Sequence, residues 1–184
     1  MDFNIYLENG FKYIYLSGLI TFWLGIKFLY IRENRKYLQF FSYFWLFAAA
    51  AKTFEIFYFY FDLNIILLLI ALMYNLEGIN LLKAVHKYFN RNLHKNWFSF
   101  LKITILILIL GYLFENIFFI LAPAIIFLSF AFIKSGKILF DSSFNSVLTF
   151  TAVVTILFGF NLLITPYLMN SELNKYLIFS KALL

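Results

Sequence analysis

Residues 97–133 read WFSFLKITILILILGYLFENIFFILAPAIIFLSFAFI, and this stretch decides the fold. As one continuous helix it would be about 55 Å long, almost twice the hydrocarbon thickness of roughly 30 Å in a bilayer. The chain must therefore turn back within it. Glu115-Asn116 is the polar break, and we place a tight turn there, whereas Pro123 has apolar neighbours and is expected to kink a helix. The stretch predicts two antiparallel spanning helices.

The composition of the whole chain also indicates a membrane protein. Of its 184 residues, 64% are hydrophobic and 13% are charged, whereas a soluble domain is about half apolar and about a quarter charged. A soluble domain of this length could not bury so much apolar surface. We predict an all-α polytopic membrane protein, one transmembrane domain over 1–184, with the lipid bilayer as partner. The net charge of +6 does not indicate nucleic-acid binding, because the basic residues lie between apolar segments.

A spanning helix needs about 20 mostly apolar residues, and six segments meet this requirement. They are residues 12–31, 38–60, 64–84, 97–114, 117–133 and 145–165, which short loops join as three hairpins. The expected N-terminal caps are Asp62 or Asn64 for the third helix, Asn96 for the fourth, and Asp141 or Ser142 for the sixth. Pro166 is expected to end the sixth helix. The polar tail 171–184 is too short to span and is expected to lie on the membrane surface.

The distribution of Lys and Arg predicts the orientation. Loops 32–37, 85–96 and 134–144, with the adjoining end of the third helix, carry nine of these residues, and the opposite side carries three. Since cytoplasmic loops are enriched in Lys and Arg, these loops are predicted to be cytoplasmic and both termini extracytoplasmic, in a prokaryotic plasma membrane. The acidic N-terminal residues are not expected to be a cleaved signal peptide. An outer aromatic belt is expected to contain Tyr13, Tyr15, Tyr58, Tyr60 and Tyr167.

No sequence motif indicates an enzyme. The chain has no cysteine, which excludes disulfides, thiolate metal sites and thiol catalysis. The sequence also has no glycine-rich phosphate loop, zinc-protease helix or nucleophile elbow. His86 and His94 fall in one basic loop, where haem between them is not expected and no acidic residue offers a further metal ligand. We therefore expect no catalytic residue, no metal and no cofactor.

Five polar residues within the spans are the candidate ligand-binding residues: Lys52, Glu55, Asn75, Glu77 and Asn161. At about 1.5 Å per residue they lie within about 9 Å of the middle of their spans, where polar groups are costly and often functional. Lys52 and Glu55 are three residues apart, so they share a helix face and can pair. The alanines at 48–51 permit another helix to approach closely. We expect the five side chains to converge between the second, third and sixth helices.

Two kinds of function fit this pattern. A polar pocket would bind or transport a small solute or ion, either alone or as a subunit of a larger complex, and this is the preferred hypothesis. The alternative is a sensor or interaction scaffold that acts through a membrane protein partner or as a homo-oligomer, its polar residues only holding helices together. The layout is similar to that of substrate-capturing subunits of small vitamin transporters and of membrane input regions of bacterial sensor kinases, although no motif is shared with either.

The orientation can be tested with cysteines, since the chain contains none of its own. A cysteine at Asn4 is expected to react with an impermeant thiol reagent in whole cells, and a cysteine at Asn92 is expected to react only after the cells are opened. Labelling of Asn92→Cys but not Asn4→Cys in intact cells would reverse the predicted topology.

Overall fold

The computed structural model of the protein describes the backbone of residues 3–61, 63–142 and 145–169, and within these the side chains of 12–166 apart from Phe59. All regular structure in these ranges is helical. The six helices are α1 (Phe3–Glu33), α2 (Lys36–Phe61), α3 (Asn64–Tyr88), α4 (Asn96–Leu113), α5 (Ile117–Asp141) and α6 (Ser146–Met169). The predicted all-α membrane fold is confirmed. The predicted tail 171–184 lies outside the described residues.

Five helices of the described chain are long and apolar enough to cross a membrane. They are α3, α4, α5, the Lys12–Glu33 part of α1 and the Ser146–Pro166 part of α6. The helix α2 is also long, with 26 residues, but it is not one of these five, and it includes Lys52 and Glu55. The chain is therefore a helical membrane protein.

The reversal between α4 and α5 lies at the predicted turn. Glu115 adopts a left-handed conformation with φ of 53°. The backbone N–H of Asn116 donates to the carbonyl of Gly111 at 2.9 Å, and the Asn116 side chain accepts from the N–H of Phe119 at 3.2 Å. The backbone of Asn116 therefore closes the end of α4 while its side chain caps the start of α5. This double role makes a very short hairpin connection possible.

The predicted N-terminal caps Asn64, Asn96, Asp141 and Ser142 are wrong. The N-cap of α3 is Leu63 and that of α4 is Lys95, and neither makes a side-chain cap hydrogen bond. At α6 the capping side chain is Asn145, which accepts from the N–H of Leu148 at 2.8 Å. A cap contributes only about 1 kcal/mol, so the larger requirement to keep apolar residues in the bilayer sets where these helices begin. Asp62, the other predicted cap of α3, lies outside the described residues.

Two helix ends also differ from the sequence expectation. The helix α5 continues through 134–141, which were expected to be loop, because Lys134 and Lys137 are good helix formers outside the hydrocarbon. The helix α6 continues past Pro166 to Met169. The expectation that Pro166 ends α6 is wrong, since a proline removes one N–H donor and neighbouring groups in a membrane helix can compensate.

The helices pack mainly as a row. In the described residues α1 contacts α2, α2 contacts α3, α3 contacts α5 and α5 contacts α6, while α4 packs against both α3 and α5. The core lies on α3 and α5, where Ala71, Leu82, Ile120 and Phe127 are almost completely buried. The end helices α1 and α6 each contact one neighbour and expose large apolar side chains, as expected for surfaces that face lipid.

Glycines allow the closest helix contacts. A Cβ atom at Gly136 of α5 would lie 2.9 Å from the carbonyl oxygen of Ala152, and one at Gly159 of α6 would lie 2.9 Å from that of Ser129. The Ser129 hydroxyl donates to the carbonyl of Gly159 at 2.5 Å, which joins α5 to α6 directly. By contrast, a Cβ at Gly25 of α1 would have no atom of the described structure within 4 Å.

These glycines provide a matched pair of substitutions. Gly136→Leu is expected to destabilise the protein by about 1 to 3 kcal/mol, because the added side chain has to separate α5 from α6. Gly25→Leu gains the same helix propensity but meets open space, so it is expected to be neutral or slightly stabilising. Thermal unfolding in mild detergent measures both, and equal effects would contradict the α5–α6 contact.

Candidate functional site

A charged pair on α2 is the centre of the candidate site. Lys52 Nζ lies 2.6 Å from Glu55 Oε2, and both side chains are partly buried. The two residues are one helical turn apart, so the pair forms within α2 itself. Pairing lowers the cost of placing two charges among apolar helices, because each charge partly neutralises the other.

Neighbouring helices supply two tyrosines to this pair. The hydroxyl of Tyr74 on α3 donates to Glu55 Oε1, so each oxygen of the Glu55 carboxylate has a partner. On the other side, Lys52 Nζ lies 5.4 Å from the centre of the Tyr15 ring on α1, a cation–π distance. The pair therefore connects α1, α2 and α3.

A second carboxyl group, Glu77, lies beside the pair without being part of it. Only 7% of the surface of Glu77 is exposed. Its carboxyl group is close enough to Glu55 and Tyr15 to interact with both electrostatically. Among the described residues it has no hydrogen-bond or ion-pair partner. The group therefore contains one lysine and two carboxyl groups. We refer to Tyr15, Lys52, Glu55, Tyr74 and Glu77 as the intramembrane cluster.

Asn75 lies on a different face of α3 and contacts α4. It is completely buried. Its side-chain nitrogen donates to the carbonyl of Ala71 at 3.0 Å, and its side-chain oxygen is 2.8 Å from the hydroxyl of Thr104. Both functional groups of the amide are therefore satisfied, and the contact joins two helices. A structural role for Asn75 accounts for this geometry.

Asn161 is separated from the other four candidates. It is partly buried on α6, and α6 contacts α5 alone in the described part of the bundle. The structure thus brings together Lys52 and Glu55, places Glu77 beside them, directs Asn75 to α4 and leaves Asn161 at the far end of the row. Whether any of these residues binds a ligand stays a prediction.

Sequence reasoning did not find Tyr15, Tyr74 or Thr104 as partners. Tyr74 stands three residues before Glu77, so the two lie close on one helix face, and this spacing was an available signal. Thr104 lies at the midpoint of α4, level with Asn75 at the middle of α3. Tyr15 gives no comparable signal, because tyrosines are frequent throughout the chain and 15 was expected in the outer belt.

A separate cleft lies at the basic end of the bundle. It has a volume of about 570 Å³ and is formed by the end of α3, the loop after it, the start of α4, and α5. Its polar lining consists of His86, Asn92, His94, Asn96 and Lys134. The aromatic side chains of Trp97 and Phe100 complete the wall. We call this the basic cleft.

The described chain offers no group of three or more His, Asp or Glu side chains that could hold a metal ion. No protein-family model, curated protein or solved structure matches this chain. The feature of the chain that bears most directly on function is the unbalanced charge of the intramembrane cluster.

Coupling between Lys52 and Glu55 can be measured by a double-mutant cycle. Lys52→Met and Glu55→Gln are each expected to destabilise the protein by more than the double change does, because each alone leaves an unpaired charge in a poorly solvated place. The coupling is expected to be about 1 kcal/mol, as for other polar contacts in membranes.

The control cycle combines Lys27→Met with Glu55→Gln. The Lys27 Nζ lies over the ring of Tyr30, away from the cluster, so these two changes are expected to be additive. Unfolding midpoints in mild detergent provide both measurements. Additive effects for Lys52 and Glu55 would show that the ion pair contributes nothing to stability.

Proposed function

We propose that the protein binds a proton or a small inorganic cation within the membrane at the intramembrane cluster. The observation that supports this proposal most directly is Glu77, a nearly buried carboxyl group that has no counter-ion among the described residues. It lies beside a pair, Lys52 and Glu55, that already neutralises itself. The binding of a positive species by Glu77 completes the charge balance.

The net charge of the cluster favours a cationic ligand over an anionic or a neutral one. With both glutamates ionised, the cluster carries one positive and two negative charges, a net charge of minus one. An unpaired ionised carboxylate in an apolar environment costs several kcal/mol, and a bound proton or cation removes that cost. An anion would raise it, and a neutral solute would leave it unchanged.

The ligand atoms favour a hard cation or a proton over a soft metal. Carboxylate oxygens of Glu55 and Glu77 and the hydroxyl oxygens of Tyr15 and Tyr74 are oxygen donors, which suit hard cations. None of the five residues of the cluster has a sulfur atom or an imidazole ring, which are the ligands that softer metals prefer. A proton needs only Glu77 itself, with nearby hydroxyl groups as hydrogen-bond partners.

The location supports a role in solute movement. Glu77 stands one residue from the midpoint of α3, so it is far from either end of the helix. Ionisable groups at this depth commonly mark ion or proton paths in membrane proteins. The helix α1, which covers one side of the cluster through Tyr15, packs against α2 only in the part of the chain that the structure describes. Displacement of α1 would therefore disturb few other contacts while it opened the cluster.

Assembly with another membrane protein is the second candidate function. It is favoured by the surface of α1, where a Cβ at Gly18 or Gly25 would meet no atom of the described chain. Small residues let membrane helices approach closely. Under this alternative the protein is a subunit or scaffold, and its purification should recover a stoichiometric membrane partner or a homo-oligomer.

Glu77→Gln tests the proposed function because it removes the charge and keeps the side-chain shape. Wild-type protein in detergent is expected to unfold at a higher temperature when Na⁺ or K⁺ replaces choline at constant ionic strength. At 100 times the dissociation constant, a bound cation stabilises a fold by about 2.7 kcal/mol. Glu77→Gln is expected to fold normally and to lose this response.

If the ligand is a proton, an inward proton gradient is expected to acidify the interior of proteoliposomes that contain the wild-type protein, as an internal pH dye reports. The interior of proteoliposomes that contain Glu77→Gln is not expected to acidify. Glu115→Gln is the matched control, since Glu115 lies in the exposed turn before α5 and should behave as the wild type in both assays. The proposal fails if neither cation nor proton affects the wild-type protein, or if Glu77→Gln retains the effect.

A further inference from the structure

The basic cleft is distinct from the intramembrane cluster, because His86 stands nine residues beyond Glu77, about 13 Å along α3. We propose that this cleft binds the phosphate group of an organic phosphate, with a phospholipid headgroup or a soluble phosphate ester as its source. Three features of the cleft support phosphate binding: its charge, its hydrogen-bond donors and its size. Phosphate binding here does not depend on the function proposed for Glu77.

The charges around the cleft are positive. Lys134 lines it from α5, and both Lys134 and Arg91 are close enough to His86 to act on it electrostatically. None of the described residues that line the cleft is acidic. Lys134 is the charged side chain of the described lining, and a phosphate group can pair with it while accepting hydrogen bonds from neighbouring donors.

The two histidines have defined free nitrogens. His86 is 7% exposed, and its Nδ1 donates to the carbonyl oxygen of Leu82 at 2.8 Å, because a carbonyl can only accept. His94 Nδ1 accepts from the backbone N–H of Asn96 at 3.3 Å, which places the hydrogen of the neutral ring on Nε2. His94 therefore has an N–H available as a donor, and His86 has one when its ring is protonated.

The start of α4 adds further positive potential. Asn96 and Trp97 of its first turn line the cleft, although the first-turn N–H groups already donate to His94 and Lys95. The N-terminal end of a helix carries a partial positive charge and attracts phosphate groups. The amide nitrogens of Asn92 and Asn96 provide neutral donors beside the charged ones.

The size of the cleft leaves room for an organic group on the phosphate. The cleft is open, since most of its polar lining residues are exposed, and its volume of about 570 Å³ is more than an inorganic phosphate ion fills. Trp97 and Phe100 form an apolar wall, and both rings pack against Phe127 of α5, with centroids 6.2 and 5.3 Å from it. This wall is therefore fixed by the core and suits the carbon-containing part of the ligand.

The test compares two sources of phosphate. Purified protein is reconstituted in nanodiscs of phosphatidylcholine with and without phosphatidylglycerol, and the retained lipids are counted by native mass spectrometry. A parallel titration in phosphatidylcholine nanodiscs uses glycerol 3-phosphate, with chloride at the same ionic strength as the control anion. Preferential retention of phosphatidylglycerol assigns the site to a lipid headgroup, and stabilisation by glycerol 3-phosphate assigns it to a soluble ester.

Lys134→Gln and Asn92→Ala are expected to lower binding in whichever arm is positive, by about fivefold for the lysine. The matched control is Lys87→Gln, which removes an exposed basic residue of the same end that does not line the cleft. It should change binding by less than twofold. Circular dichroism and gel filtration establish that each variant is folded. The proposal is overturned if neither phosphate binds the wild type, or if the Lys134→Gln and Lys87→Gln losses are equal.

Discussion

Hydrocarbon provides no hydrogen-bond partners, so each polar group that enters the bilayer has to find its partner within the protein. The backbone meets this requirement by forming helices throughout the described chain. Many polar side chains meet it in one of two ways, whereas the buried hydroxyls of Ser42 and Ser135 have no hydrogen-bond partner among the described residues. Thr21 and Thr53 donate to backbone carbonyls four residues earlier on their own helices. Others pair across helices, as Thr104 does with Asn75 and Ser129 with the carbonyl of Gly159.

The same constraint accounts for the position of α2 in the row. This helix carries Lys52 and Glu55 and is the described helix that does not reach the hydropathy expected of a span. It lies between α1 and α3, which cover it on two sides. The tyrosines of those helices contact the charged pair, so α1 acts as a cover for α2 as well as a lipid-facing surface. Within the described residues, Glu77 is a carboxyl group for which this arrangement provides no ion-pair partner.

The sequence was sufficient to predict the fold and the turn at Glu115-Asn116, because apolar length and polar breaks follow directly from the thickness of a bilayer. It was also sufficient to pair Lys52 with Glu55, since their spacing on one helix determines the contact. It was insufficient for Asn75 and Asn161. Depth along a helix can be calculated from residue number, but the direction in which a side chain points cannot be inferred when a helix is apolar on every face. Helix neighbours in a membrane are equally hard to infer, because the helix faces that contact lipid and the faces that contact other helices are both apolar.

The row of helices has a consequence for synthesis. Every pair of helices that is consecutive in the chain is also in contact, and α3 with α5 is the one further pairing in the described structure. Contacts are therefore local in sequence, which favours rapid assembly. Each helix that leaves the ribosome finds its partner already inserted, and α5 completes the core when it packs against α3. The native arrangement can thus grow in the order of translation, without any inserted helix having to exchange its neighbours.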